Sequence, residues 1–184
     1  ENQMDVPSTQ AAADIIGLGL PEATNRLFPG ISKEQATIFT ASYSAQFRAQ
    51  DSVPSQFFEG VDETLAQLRA NGYLLAVATG KSRAGLDRIL AALGMTHFFD
   101  ASRCADETLS KPNPLMINEL LHELSVSPDE AVMVGDTEFD LDMAQRAGVR
   151  SIAMTYGAHS EKRLAVFDPI VCLDNFRGIK KYLL

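Results

Sequence analysis

The stretch Ala131-Val132-Met133-Val134-Gly135-Asp136-Thr137-Glu138-Phe139-Asp140 decides the fold. Its four leading apolar residues read as a buried strand of a parallel sheet. Gly135 lets the chain turn as the strand ends. Asp136 is then left at the carboxyl end of the sheet, where open α/β sheets bind their ligands. A helix beginning near Thr137 adds free N–H groups that favour phosphate. Asp136 and Asp140 lie one helical turn apart on its same side. Two carboxylates so placed suit Mg²⁺, a hard cation that takes oxygen ligands and keeps several waters. A plainer reading makes Asp136 only the cap of the helix. The stretch alone leaves both open.

Working outward, the chain from Phe57 alternates helix and strand. Helices are expected over Asp62–Ala70 (Asp62 as cap), Ser82–Leu93, Pro114–Leu124 (Asn113 as cap), Glu138–Ala147, His159–Val166 and Asn175–Leu183. Strands are expected over Tyr73–Thr79, Phe98–Ser102, Ser151–Tyr156 and Ile170–Leu173, besides the one ending in Gly135. That alternation implies right-handed crossovers and a doubly wound parallel sheet covered on both faces. Residues 1–55 differ. Helical spacing recurs near Ser8–Ile16, Pro21–Leu27 and Lys33–Gln50, and Ser32 with Gln35 forms a capping-box pattern. This predicts a small helical subdomain over 1–55 and an α/β core over 56–184, with Val53-Pro54 as the link. Gly17-Leu18-Gly19 reads as a tight turn between helices. It is no dinucleotide fingerprint, because no strand precedes it and position 22 is Glu22.

Composition narrows the function. A net charge of −8 argues against a nucleic-acid partner, which needs a basic face. An anionic substrate remains compatible, since a metal ion supplies local positive charge. Cys104 and Cys172 read as reduced, buried thiols of a cytoplasmic protein. No apolar run is long enough to cross a membrane, and no signal peptide is visible. The chain opens on Glu1 rather than methionine, so a start further upstream is expected. Oligomeric state leaves no trace in the sequence.

The chemistry gathers at the strand ends. Thr79 closes one strand and Asp136 another, and Lys111 lies between them in Ser110-Lys111-Pro112-Asn113-Pro114. In a doubly wound sheet all three meet on one rim. A hydroxyl with neighbouring N–H groups holds phosphate oxygens, a lysine offsets developing negative charge, and a carboxylate holds Mg²⁺. Gly80-Lys81-Ser82 is not a nucleotide P-loop, since position 75 is Leu75 where that motif has glycine. Lys81 therefore reads as a rim residue. His97 and His122 read as structural or surface groups. His159 follows a strand within reach of the rim.

In this order and context the chain resembles the haloacid dehalogenase-like hydrolase superfamily, and within it the phosphoglycolate-phosphatase-like branch with a helical cap. Val77-Ala78-Thr79-Gly80-Lys81 matches the second motif of that family, Lys111-Pro112 the third, and Gly135-Asp136-Thr137 with Asp140 the fourth. The resemblance implies phosphate binding by Thr79 and Gly80, a phosphoryl-steadying lysine at Lys111, and Mg²⁺ held by Asp136 and, less directly, Asp140. It implies hydrolysis of a small phosphomonoester, phosphoglycolate-like or sugar-phosphate-like, through an aspartyl-phosphate. A phosphomutase and a non-catalytic phosphometabolite-binding protein are the alternatives.

One departure is large. The family's first motif, Asp-x-Asp at the end of a first core strand, carries the nucleophile and the general acid or base. No such strand precedes the helical segment here, and Asp140-Leu141-Asp142 follows none. In the family that strand is central, between those ending in Thr79 and Asp136. Without it the two strands stand roughly 10 Å apart, two strand spacings. Each unpaired backbone group along the gap costs about 1–3 kcal/mol. The expectation is that about 30 upstream residues are absent, by analogy with the family, and that the chain as given is inactive.

Overall fold

The computed structural model describes residues 5–50 and 56–184. The expected link at Val53-Pro54 lies outside them. Three helices come first: α1 (Thr9–Ala13), α2 (Leu20–Leu27) and α3 (Lys33–Gln50). The Ser8 hydroxyl caps α1 by accepting the Ala11 N–H. That helix stops earlier than its spacing predicts, as the chain turns toward Gly17 at φ +105°. The capping box at α3 forms as its pattern predicts, since Ser32 and Gln35 each accept the other's backbone N–H. Phe28 and Phe39 meet edge to face, ring centroids 5.0 Å apart, and join α2 to α3.

The remainder is α/β. α4 (Val61–Ala70) leads to β1 (Ala76–Thr79), α5 (Arg83–Ala92), β2 (Ala101–Cys104), α6 (Leu115–Leu124), β3 (Val132–Gly135), α7 (Glu138–Arg146), β4 (Arg150–Met154), α8 (Glu161–Leu164), β5 (Cys172–Leu173) and α9 (Lys180–Leu183). All pairings are parallel. β1 runs beside β2 with Ala76 opposite Ala101, and β3–β4–β5 form a second sheet with Val132 opposite Arg150. The parallel strands stand in two groups, and among the described residues no ladder joins β1 to β3, the gap expected between the strands that end in Thr79 and Asp136.

Several boundaries shift for local reasons. α4 is entered through Gly60 in the left-handed region, so Asp62 lies inside the first turn rather than at the cap. β1 starts only at Ala76, because the Tyr73 N–H still closes the end of α4 on the Leu68 carbonyl. β2 starts at Ala101, after a turn in which the Phe98 N–H meets the Met95 carbonyl. At α6 the cap position is Pro114, and Asn113 instead takes the Leu115 N–H at 3.0 Å.

Both faces of β3 and β4 are covered. Met116 and Ile117 of α6, Met143 and Ala144 of α7, and Val149 form one buried cluster. Ala78 of β1 and Met133 of β3 both pack against it, so the two sheets share a core without sharing hydrogen bonds. On the opposite face Ile152 and Met154 meet Ile179, with Val132 and Val134 alongside. Val132 and Val134 face one cluster and Met133 the other, the period-two alternation of a strand buried on both sides.

Candidate active site

β3 delivers Asp136 to the carboxyl end of the sheet, and α7 starts directly after it. The residue that caps α7 is Thr137, not Asp136: the Thr137 hydroxyl accepts the Asp140 N–H, and the Asp140 carboxylate takes the Thr137 N–H in return. The pattern Thr137-x-x-Asp140 satisfies the helix start by itself, so Asp136 is released from capping. Its Oδ2 accepts the Ala158 N–H at 2.9 Å, and its Oδ1 accepts no hydrogen bond among the described residues.

Asp140 is 4% exposed, and both of its oxygens are engaged. Oδ1 meets Lys111 Nζ at 2.6 Å, and Oδ2 accepts from the Thr137 hydroxyl at 2.7 Å. Lys111 is as deeply buried, at 5%. Gly135 is required beside this pair, because a Cβ there would collide with the Asp140 side chain. At the end of β1 the Thr79 hydroxyl accepts the Lys81 N–H at 3.2 Å, which leaves the hydroxyl proton free for another acceptor.

Thr79, Gly80, Lys111, Asp136 and Asp140 all line one cavity of about 640 Å³. Every site residue expected from the sequence is therefore brought to one place. The cavity also runs along Val77 and Ala78 of β1 and Met133 and Val134 of β3, the facing edges of the two sheets. The helical segment closes its far side with Ile16, Leu18, Tyr43 and Phe47. Gly17-Leu18-Gly19 is the plug. The Gly19 N–H donates to Ser110 Oγ at 2.8 Å, and a Cβ on Gly80 would lie 2.6 Å from the carbonyl oxygens of Gly17 and Leu18.

Several charges beside the site are paired. Arg163 of α8 grips Glu138 of α7 with two hydrogen bonds of 3.0 and 2.7 Å and also pairs with Asp14. The Arg163 guanidinium holds the Glu138 carboxyl below its ordinary range. His159 is 2% exposed, and its Nδ1 accepts the Glu138 N–H at 3.0 Å. Burial first, then Arg163, depresses its pKa. Sequence reading undervalued three groups here. Thr137 was legible as a capping box, Arg163 carried no signal, and His159 sits in the loop before α8 rather than on the helix expected over 159–166. His97 and His122 are exposed, as read.

The sequence profile of the family described as haloacid dehalogenase-like hydrolase matches residues 1–154. The Dickeya dadantii strain 3937 protein named "Probable phosphatase IndB" is 36% identical over 180 residues, 96% of this chain and 78% of that protein. A phosphoglycolate phosphatase from Pectobacterium atrosepticum is 37% identical over 126 residues, 68% of this chain and 54% of its own length. A crystal structure from Haemophilus somnus 129pt, described as a predicted phosphoglycolate phosphatase, superposes with a TM-score of 0.85 at 24% identity and covers all of this chain and 85% of that one. The chain belongs to the haloacid dehalogenase-like hydrolase family. Within it the chain falls in the phosphoglycolate-phosphatase-like branch, among phosphoric monoester hydrolases.

Proposed function

We propose that the protein is a Mg²⁺-dependent phosphatase that hydrolyses a small phosphomonoester, phosphoglycolate-like or sugar-phosphate-like, through an aspartyl-phosphate. The observation that carries this reading is the convergence of Thr79, Lys111 and Asp136 on one cavity from three separate segments of the chain. Thr79 donates its free hydroxyl proton to a phosphate oxygen, beside the close-packed backbone of Gly80. Lys111 supplies positive charge toward the phosphoryl group, and its pairing with Asp140 fixes where that charge sits.

The residues present fit Mg²⁺. Among the described residues no group of three or more His, Cys, Asp or Glu side chains gathers to enclose a metal. Mg²⁺ does not require one, since it is held by one or two carboxylates together with waters and substrate phosphate oxygens. Asp136, with Oδ1 unengaged, is the carboxylate that would hold it. Asp140, with both oxygens committed to Lys111 and Thr137, acts indirectly by fixing its neighbours. Held there by Asp136, Mg²⁺ would supply positive charge against that developing on the transferring phosphoryl group.

Among the described residues Asp136 and Asp140 are the only carboxylates lining the cavity, and neither is available as a nucleophile in this scheme. In this reading the nucleophile comes from a further strand between β1 and β3, and the support is that no ladder joins these two among the described residues. In this reading residues 1–55 act as the cap and 56–184 as the core. The test is phosphate release from a panel of small phosphomonoesters by the protein preceded by whatever its gene encodes ahead of Glu1. Hydrolysis is expected with Mg²⁺ and not with chelator, and Asp136→Ala should lower the rate by at least about a hundredfold, roughly 3 kcal/mol. Equal turnover in chelator, or wild-type turnover by Asp136→Ala, refutes the mechanism. Saturable substrate binding without turnover would favour the binding-protein alternative.

A further inference from the structure

We propose that His159 is a positioning residue for Asp136, and that it acts through one acceptor atom, Nδ1. The side chain of Asp136 must be held at a fixed angle as the chain leaves β3. Two donors hold the residue: the Ala158 N–H on Oδ2 at 2.9 Å and the His159 N–H on the Asp136 carbonyl at 3.1 Å. Both belong to the loop between β4 and α8, which has no regular structure of its own. The loop presses closely, since a Cβ on Gly157 would collide with the Asp136 carboxylate.

What ties this loop down is the His159 ring. Its Nδ1 accepts the N–H of Glu138, the first residue of α7 and one of the helix-start donors that lack an intrahelical partner. The ring stands edge to face with Phe139, centroids 5.5 Å apart, and is buried. The loop that clamps Asp136 is therefore pinned to the very helix that Asp136 precedes. The other nitrogen argues that packing alone is not the reason for a histidine. With Nδ1 accepting, Nε2 carries the proton, and it is buried with no partner among the described residues. An apolar ring would fill the same space without that orphaned donor. It would lack Nδ1.

The clamp is a geometric statement. Its consequence for metal binding rests on the function proposed above, so the experiment reads the two separately. The first readout is hydrogen exchange at the Ala158 amide. His159→Phe keeps the ring and removes the acceptor, and His159→Asn keeps an acceptor near the Nδ1 place. Glu138→Pro removes the donor from the other side, at a first helical position where proline is well tolerated, with Glu138→Ala as the control for the lost Arg163 pair. Ala158 should exchange at least about tenfold faster in His159→Phe and Glu138→Pro, and near the wild-type rate in His159→Asn and Glu138→Ala. Unchanged protection in Glu138→Pro, or equal loss in His159→Phe and His159→Asn, overturns the proposal. Glu138→Pro serves even where a histidine variant fails to fold. The second readout is Mn²⁺-induced broadening of the Asp136 amide signal, which should need about 10–100-fold more Mn²⁺ in Glu138→Pro than in Glu138→Ala. Should Mn²⁺ leave Asp136 untouched in the wild type while the exchange pattern holds, the clamp stands and the metal reading fails.

Discussion

Lys111 and Asp140 show how a single contact divides stability from chemistry. Their charges meet at 2.6 Å with both side chains almost fully buried. Removing one member leaves the other charged and unpaired in the interior, which costs about 3–5 kcal/mol. Asp140→Ala should therefore lower the urea unfolding free energy by that amount, and Lys111→Ala similarly. Asp136→Ala removes one hydrogen bond from the Ala158 N–H on a half-buried carboxylate and should cost only about 1 kcal/mol. Urea titration of the three variants side by side checks this. Comparable losses for Asp136→Ala and Asp140→Ala would show that Asp136 is structural. From spacing alone the two aspartates look alike, one helical turn apart on a helix face. Only the capping box and the reach of Lys111 tell them apart.

At the scale of elements, the Gly17-Leu18-Gly19 turn matters more than its sequence suggests. It joins α1 to α2, as expected, but it also docks the helical segment against the ends of β1 and β3. Gly17 sits at φ +105°, and a Cβ there would lie 2.8 Å from the Thr137 hydroxyl that caps α7. Gly17→Ala thus meets backbone strain and a collision together. It should destabilise the protein by at least about 1 kcal/mol and loosen α2 from the core. Trypsin cleavage after Arg26, whose guanidinium now lies 4.9 Å over the Phe139 ring of α7, should accelerate several-fold. Unchanged cleavage would mean that the helical segment is held elsewhere, through the Asp14–Arg163 pair for example.

For the whole molecule, the paired carboxylates set the response to acid. Asp14, Glu63, Asp100, Glu107, Glu130 and Glu138 are all held below their ordinary range when folded, because hydrogen bonds favour the charged form: from Gln10 for Asp14, Ser127 for Glu130, the Leu75 backbone for Asp100, and lysine or arginine for the others. Glu107 is lowered furthest, to about 2, chiefly by its hydrogen bonds to Arg83. A carboxylate depressed by folding contributes its full stability above its unfolded pKa and loses it as pH falls through the folded one. The urea midpoint should hold near neutrality, drop below about pH 4.5 and keep falling toward pH 2. Glu107→Gln should flatten the last part of that fall. A midpoint independent of pH between 5 and 3, values on the order of the carboxylate range, would show that these pairs are formed equally in the unfolded chain.

Local pattern was enough for the α/β alternation and the helical first segment, which rest on periodicity and short spacings that survive without knowledge of neighbours. Resemblance to a known family, not periodicity, singled out Thr79, Lys111 and Asp136. Strand ends were misjudged where capping turns at Tyr73 and Phe98 kept apolar residues out of the ladder. Tertiary structure alone decided the rest. Contacts across long sequence distances put Asp140 on Lys111, set Gly19 against Ser110, ran Arg163 to Asp14 and Glu138, and folded the loop at His159 around Asp136. No local pattern encodes such pairings, because each depends on where two separate segments come to rest on the same sheet end.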